Sequence, residues 1–129
     1  MRLILDTHAL LWALTEPERL SPTAREGIAD RANELLVSAV SAWEISTKVR
    51  IGKLPNVQPL VDNYSRLVAR LGATALPVEE HHALFAGALD WSHRDPFDRM
   101  LAAQAVLENA RLVTLDSAFG ELEAVRSLW

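Results

Sequence analysis

The chain has 129 residues, half of them apolar, with a formal net charge of −4 and no cysteine. That size and apolar content suit one domain around one substantial core, expected to span residues 1–129. The missing cysteines exclude disulfides, thiolate nucleophiles and Cys-based zinc sites, and the acidic balance excludes a passive phosphate binder, which is usually basic.

The apolar opening MRLILDTHALLWAL is interrupted by Asp6 and His8 well short of a membrane span or signal-peptide core. A cytoplasmic protein with no membrane association is expected. Residues 2–6 read as a short buried strand that ends at Asp6. A helix-like segment follows from His8 to Leu14 and stops near Glu16-Pro17. Ser21 as N-cap, with Pro22 at the first position, starts a helix running to about Asn33. Residues 34–38 (ELLVS) form a second strand. A helix from about Ser41 to Ile51 is closed by Gly52, with Pro55 just beyond. Residues 57–71 place apolar side chains at helical spacing until Gly72 stops them. Thr74 to Val78 is a third strand, interrupted by Pro77, and helix signals resume from Glu79 to Leu89. Another helix covers residues 96–109, Leu112 to Leu115 is a fourth strand, and Val125 to Leu128 a last one.

Strands alternating with helices predict an α/β fold, a parallel sheet with helices on both faces and right-handed crossovers. The strands are short, continuous apolar runs, as expected when both faces are covered. Ligands in such folds bind beyond the carboxyl ends of the strands, where the strand order reverses. Asp6 and Asp116 lie at that end of their strands. Glu44 and Asp98 lie near the starts of helices that can face the same edge, with Asp95 one turn before Asp98.

Each acid also has a purely structural reading. Ser41-Ala-Trp-Glu44 matches a capping box, and Glu44 precedes Lys48 by four residues; taken alone, that structural role is the favoured one. Asp95-Pro96 is a good N-cap followed by a first-turn proline, and Asp98 then complements the helix dipole. Asp116 suits the turn DSAFG, and Asp6 can cap the helix after it. Together the acids point elsewhere. Two carboxylates about 4 Å apart repel by roughly 4 kcal/mol at an effective dielectric near 20. Several on one edge either raise each other's pKa or gather a hard divalent cation, and oxygen-only ligands suit Mg²⁺ or Mn²⁺. A cation so held supports phosphodiester chemistry.

Other residue types add less. His81 and His82 are adjacent on a helix and cannot form an i,i+4 metal pair. His8 borders Asp6, and His93 lies in the loop before Arg94 and Asp95; both are better read as packed or solvated. No nucleophile elbow and no phosphate-binding glycine loop is present. Trp12, Trp43, Trp91 and Trp129 are better read as core or interface residues than as base-stacking platforms.

The segments LILDTHALLWAL, VSAVSAWEISTKVRIGKL, HRDPFDRMLAAQA and LVTLDSAF, in this order, resemble PIN-domain proteins and, more narrowly, VapC-type toxin ribonucleases of type II toxin–antitoxin systems. The resemblance spans essentially the whole chain. It implies a parallel sheet of about five strands sandwiched between helices, and a Mg²⁺- or Mn²⁺-dependent endoribonuclease. It also implies a homodimer and inhibition by a cognate antitoxin. The family's acidic positions carry over to Asp6, Glu44, Asp98 and Asp116, with Asp6 and Asp98 as core metal ligands. Asp95 is an extra acid, and Lys48, Arg94 and Arg99 stand near enough to guide an RNA backbone, although simple ion pairing is favoured for Lys48. The expected reaction is hydrolysis of an RNA phosphodiester by metal-activated water. Two other classes compete. A haloacid-dehalogenase-like phosphohydrolase would carry a second Asp two residues after the first, where this chain has His8. A non-catalytic PIN-like binding module would use the acids only as caps.

Overall fold

The computed structural model describes all 129 residues. Five parallel strands form one sheet in the order β3-β2-β1-β4-β5. They are β1 (Arg2–Leu5), β2 (Glu34–Ser38), β3 (Thr74–Leu76), β4 (Arg111–Val113) and β5 (Ser127–Leu128). Seven α-helices connect them: α1 (Thr7–Thr15), α2 (Pro22–Ala29), α3 (Ala39–Arg50), α4 (Gln58–Asp62), α5 (Tyr64–Arg70), α6 (Glu80–Ala88) and α7 (Pro96–Leu107). The chain builds outward from β1 to β3, then returns to lay β4 and β5 on the other side. The strand order therefore reverses at the β1/β4 seam, where Leu5 pairs with Val113.

Alternation along the strands divides the core between the two faces, because successive strand residues point to opposite sides. Leu3, Leu5, Leu35, Val37 and Val113 pack with Leu10 of α1 and Ile45 of α3 on one face. Ile4, Leu36 and Leu112 pack with Leu101, Ala102 and Ala105 of α7 on the other. Three alanines of α7, Ala102, Ala103 and Ala105, are buried, so its backbone lies close against the sheet. The first turn of α7 lies where the charge of Glu44, on the helix that follows β2, acts on Asp98.

Element boundaries depart from expectation where side chains compete with the backbone. Residues 57–71 do not form one helix. The chain breaks at Asn63, whose amide donates to the Pro59 carbonyl at 2.8 Å in place of a regular helical arrangement. α2 ends at Ala29, several residues early, because Asp30 turns the chain by accepting the Ala32 N–H at 2.9 Å. β4 ends at Val113, and Thr114 opens a turn by accepting the Asp116 N–H at 3.0 Å. α3 starts at Ala39 with Ser38 as its cap, not at Ser41. Gly52 and Gly72 both take positive φ, 78° and 82°, after α3 and α5, a backbone conformation that favours glycine.

α6 and α7 pack antiparallel, and Arg99 ties their ends together. Its guanidinium donates to the carbonyls of Leu89 at 2.7 Å, Trp91 at 2.8 Å, His93 at 3.0 Å and Ala86 at 3.1 Å. These are the orphan carbonyls of the α6 end and of the loop that delivers His93 and Asp95. Arg99 is thus fully engaged with backbone and does not face outward as an RNA-guiding cation. Replacing it by Met should cost about 3 kcal/mol, since charged hydrogen bonds to several part-buried carbonyls are lost together. Urea unfolding measures this; a loss under about 0.5 kcal/mol would show that the clamp is not structural.

Candidate metal centre at the carboxyl edge of the sheet

Asp6 directly follows β1. Its N–H still donates to Val113 of β4 at 3.1 Å, so the residue is anchored in the sheet seam. Its carboxylate caps α1 through the Ala9 N–H at 2.7 Å. It is only 7% exposed and makes no ion pair with lysine or arginine. Burial pushes the Asp6 carboxyl above its usual range; the Thr114 hydroxyl, the Ala9 N–H and His8 pull it back, while the charge of Asp116 pushes it further up.

Glu44 arrives from α3 on the β2 side. It is 4% exposed, so it is not the solvent-facing capping-box residue that the Ser41 spacing suggested. The earlier start of α3 explains the difference: Ser41 is inside the helix, and Thr7 Oγ1 reaches both Ser41 Oγ at 3.1 Å and Glu44 Oε1 at 2.5 Å. Lys48 closes an ion pair on Glu44 Oε2 at 2.6 Å, as its spacing predicts. Thr7 thereby joins the Glu44 side of the edge to Asp6, its neighbour in the chain.

Asp98 comes from the first turn of α7. Asp95 is the N-cap, accepting the N–H groups of Phe97 at 2.8 Å and Asp98 at 3.2 Å. Asp98 Oδ2 meets His93 Nε2 at 2.7 Å. Burial raises the Asp98 pKa most; the His93 hydrogen bond lowers it, and the charges of Asp95 and Glu44 raise it again. The hydrogen bond to Asp98 is the main cause of a raised His93 pKa, and the charges of Asp98, Asp95 and Asp116 act in the same direction. Asp116 is exposed beyond β4 and caps a 3-10 turn over Ser117–Glu121 through the Ala118 N–H at 2.9 Å.

Five carboxyl groups from four segments thus stand at the carboxyl ends of the strands or the starts of the helices that follow: the charge of Asp116 acts on Asp6, those of Asp95 and Glu44 act on Asp98, and Lys48 and His93 pair with Glu44 and Asp98. Asp6, Asp95 and Asp116 have no ion-pair partner. No three of these five acids bring ligand oxygens within 4.8 Å of one another. Oxygen donors around a buried, unpaired carboxylate fit a hard divalent cation, and Asp6 and Asp98 are the two whose ionisation burial opposes. The largest concavity, about 550 Å³, lies between α1, α2 and α5 and holds none of these acids; an ion site needs no such volume.

A second histidine–acid group, His81, His82 and Glu108, has ligand atoms within 4.8 Å of one another. It is not a metal site by its hydrogen bonds. His82 Nδ1 accepts the Glu79 N–H at 3.0 Å, so the ring proton sits on Nε2 and points to Glu108 Oε2, also at 3.0 Å. Neither ring nitrogen of His82 is left for an ion. The pairing with His82 holds the Glu108 carboxyl below its usual range, with Arg2 adding to it.

The sequence profile of the PIN domain matches residues 3–125. The chain belongs to the PIN domain family. Among curated relatives of this PIN protein is Ribonuclease VapC22 of Mycobacterium tuberculosis (strain ATCC 25618 / H37Rv), 32% identical over 114 residues, covering 88% of this chain and 85% of the relative. Ribonuclease VapC16 of the same organism is 38% identical over 55 residues, covering 43% of this chain and 39% of that protein. Solved structures share the fold. A VapBC2 complex from Rickettsia felis bound to a promoter DNA fragment aligns over 98% of this chain and 97% of its own, with TM-score 0.72 and 15% identity. VapBC-1 from nontypeable Haemophilus influenzae aligns over 98% and 96%, with TM-score 0.64 and 19% identity.

Sequence reasoning underrated His93. Its contact with Asp98 is a loop-to-helix pairing with no periodic signal, although its position two residues before the Asp95 cap placed it close by. The pKa directions carry a stability consequence. A carboxyl whose folded pKa lies above its ordinary value of 3.8 stabilises the fold fully below that value and loses the contribution as pH rises through the folded pKa. Asp6→Asn keeps the helix cap and removes the buried charge, so its melting temperature at pH 7 should exceed wild type by a few degrees. The wild type should gain about 2.7 kcal/mol with Mg²⁺ or Mn²⁺ at a hundred times its Kd, and the variant should lose that gain. Thermal melts with and without metal test both; a lower melting temperature with an intact metal response would contradict this assignment.

Proposed function

We propose that this PIN protein is a metal-dependent endoribonuclease of the VapC type, a toxin held in check by a cognate antitoxin. The observation that carries the reading is the buried Asp6, without an ion-pair partner, at the reversal of strand order, with the charge of Asp116 acting on it from the end of β4. Identity of 32% over most of its length to a protein named as a ribonuclease favours RNA as substrate over a small phosphate ester. His8 at the position where a haloacid-dehalogenase-like enzyme needs its second Asp favours the same choice.

Asp6 and Asp98 are assigned as the ligands of Mg²⁺ or Mn²⁺, with Glu44 and Asp116 contacting the ion directly or through water. When bound, such an ion is a Lewis acid that makes water nucleophilic near neutral pH and offsets charge at phosphorus. The protein's own groups do the rest. Thr7 and Lys48 fix the orientation of Glu44 and prevent it from being a third uncompensated charge. His93 pairs with Asp98, whose hydrogen bond raises the pKa of the imidazole, and when protonated it offsets part of that carboxylate's charge. Arg94 is exposed next to Asp95 and is the cation free to follow the RNA backbone. Hydrolysis breaks the bond from phosphorus to the leaving ribose oxygen as the bond to the water oxygen forms, with no need of the 2′-hydroxyl. A homodimer is part of the same proposal, by likeness to the family.

Asp6→Asn and Asp98→Asn should each lower Mg²⁺-dependent RNA cleavage by at least about 100-fold while folding normally, because a ligand to the charge-stabilising ion is worth several kcal/mol. Arg94→Ala should raise KM several-fold with little change in kcat. Gel-based cleavage of total RNA reads all three; full activity in either Asn variant refutes the assignment.

A further inference from the structure

Trp43 is the one tryptophan the fold leaves outside. Trp91 is buried and donates its indole N–H to Glu121 at 3.1 Å. Trp12 and Trp129 pack on each other at 5.9 Å, with Arg19 over the Trp12 ring. Trp43 is 60% exposed, and its only aromatic neighbour is Phe97, edge-to-face at 4.8 Å and 76°. An indole fixed in this way keeps its orientation while a large part of it stays in water.

Its position is informative. Trp43 directly precedes Glu44, and Phe97 directly precedes Asp98. Successive helix residues turn by about 100°, so on both helices the carboxylate turns inward and the ring turns to the rim beside it. Beside Trp43 runs a shallow cavity of about 220 Å³ bounded by Gly87, Pro96, Met100 and Arg99. Its one charged wall, Arg99, has its guanidinium bonded to carbonyls and offers little to a carboxylate or peptide. Adding a Cβ to Gly87 meets nothing within 4 Å, so the floor is open. A flat, apolar-faced group next to the phosphate site fits this surface. We propose that Trp43, braced by Phe97, stacks one unpaired base of a single-stranded RNA beside the carboxylate edge, so that the backbone phosphate next to that base enters the edge. The proposal rests on the ribonuclease reading for its substrate class. Stacking tolerates any base, because each has a π-face, and places the strand without reading its sequence.

The test uses binding, so that it is readable whatever the outcome for cleavage. The full chain carrying Asp6→Asn is titrated with a short single-stranded RNA by fluorescence anisotropy, alone and with Trp43→Ala or Trp43→Phe added. Loss of a stacked base should weaken binding about tenfold or more in Trp43→Ala, and Phe should restore most of it. An abasic site scanned along the RNA should weaken binding at one position in the Trp43 background and have no further effect there in Trp43→Ala. Unchanged affinity in Trp43→Ala, or abasic effects independent of Trp43, overturns the proposal. So does a Trp43→Ala effect traced by sedimentation solely to dissociation of a dimer, which would make the patch an interface between copies. Inactivity of the protein carrying Asp6 would instead refute the nuclease reading, and the binding coupling would still be measurable.

Discussion

A carboxylate closed inside the seam between two central strands, with no basic side chain to pair with it, is the condition on which everything else at the site depends. Asp6 sits there because β1 must end in a helix cap and because β4 covers it from the side. Burial alone makes its ionised form unfavourable, and Asp116 across the seam makes it more so. A fold that keeps such a group is less stable at neutral pH than it could be, which is a common mark of a functional site.

The other polar cluster shows what a structural charge group looks like in the same molecule. Arg2 at the start of β1 bonds Glu34 at 2.9 Å and faces Glu108, which in turn holds His82 against its helix cap. Each sign there is matched, and each histidine nitrogen of His82 has a partner. At the carboxyl edge only Glu44 and Asp98 are matched. The two clusters differ in charge balance far more than in composition, and charge balance is what separates a brace from an ion trap.

The fold was legible in the sequence because its signals are local: short apolar runs ending in acids, proline at helix starts, glycine after helix ends. The position of Asp6 and Asp116 on a shared edge followed from parallel topology alone. What was not legible depends on side chains meeting across the chain. Glu44 matched a capping box in sequence, yet Ser38 took the cap and left Glu44 to turn inward toward Thr7. Arg99 read as a spare cation beside two acids, yet the open end of α6 supplies the carbonyls that absorb it. Trp43 read as a core or interface residue; its 60% exposure removes the core alternative, and the small residues Ala86 and Gly87 line the hollow beside it. None of these leaves a periodic trace.

Thr7, Lys48 and Arg99 together indicate that the edge is held in place by groups that do not themselves carry its excess charge. The most direct test of that account is a crystal soaked in Mn²⁺ and measured at the manganese absorption edge. The account predicts one strong anomalous peak between Asp6 and Asp98, at roughly 2.0–2.3 Å from an oxygen of each. A peak at His81, His82 and Glu108, or density at the carboxyl edge with no anomalous signal, would contradict it.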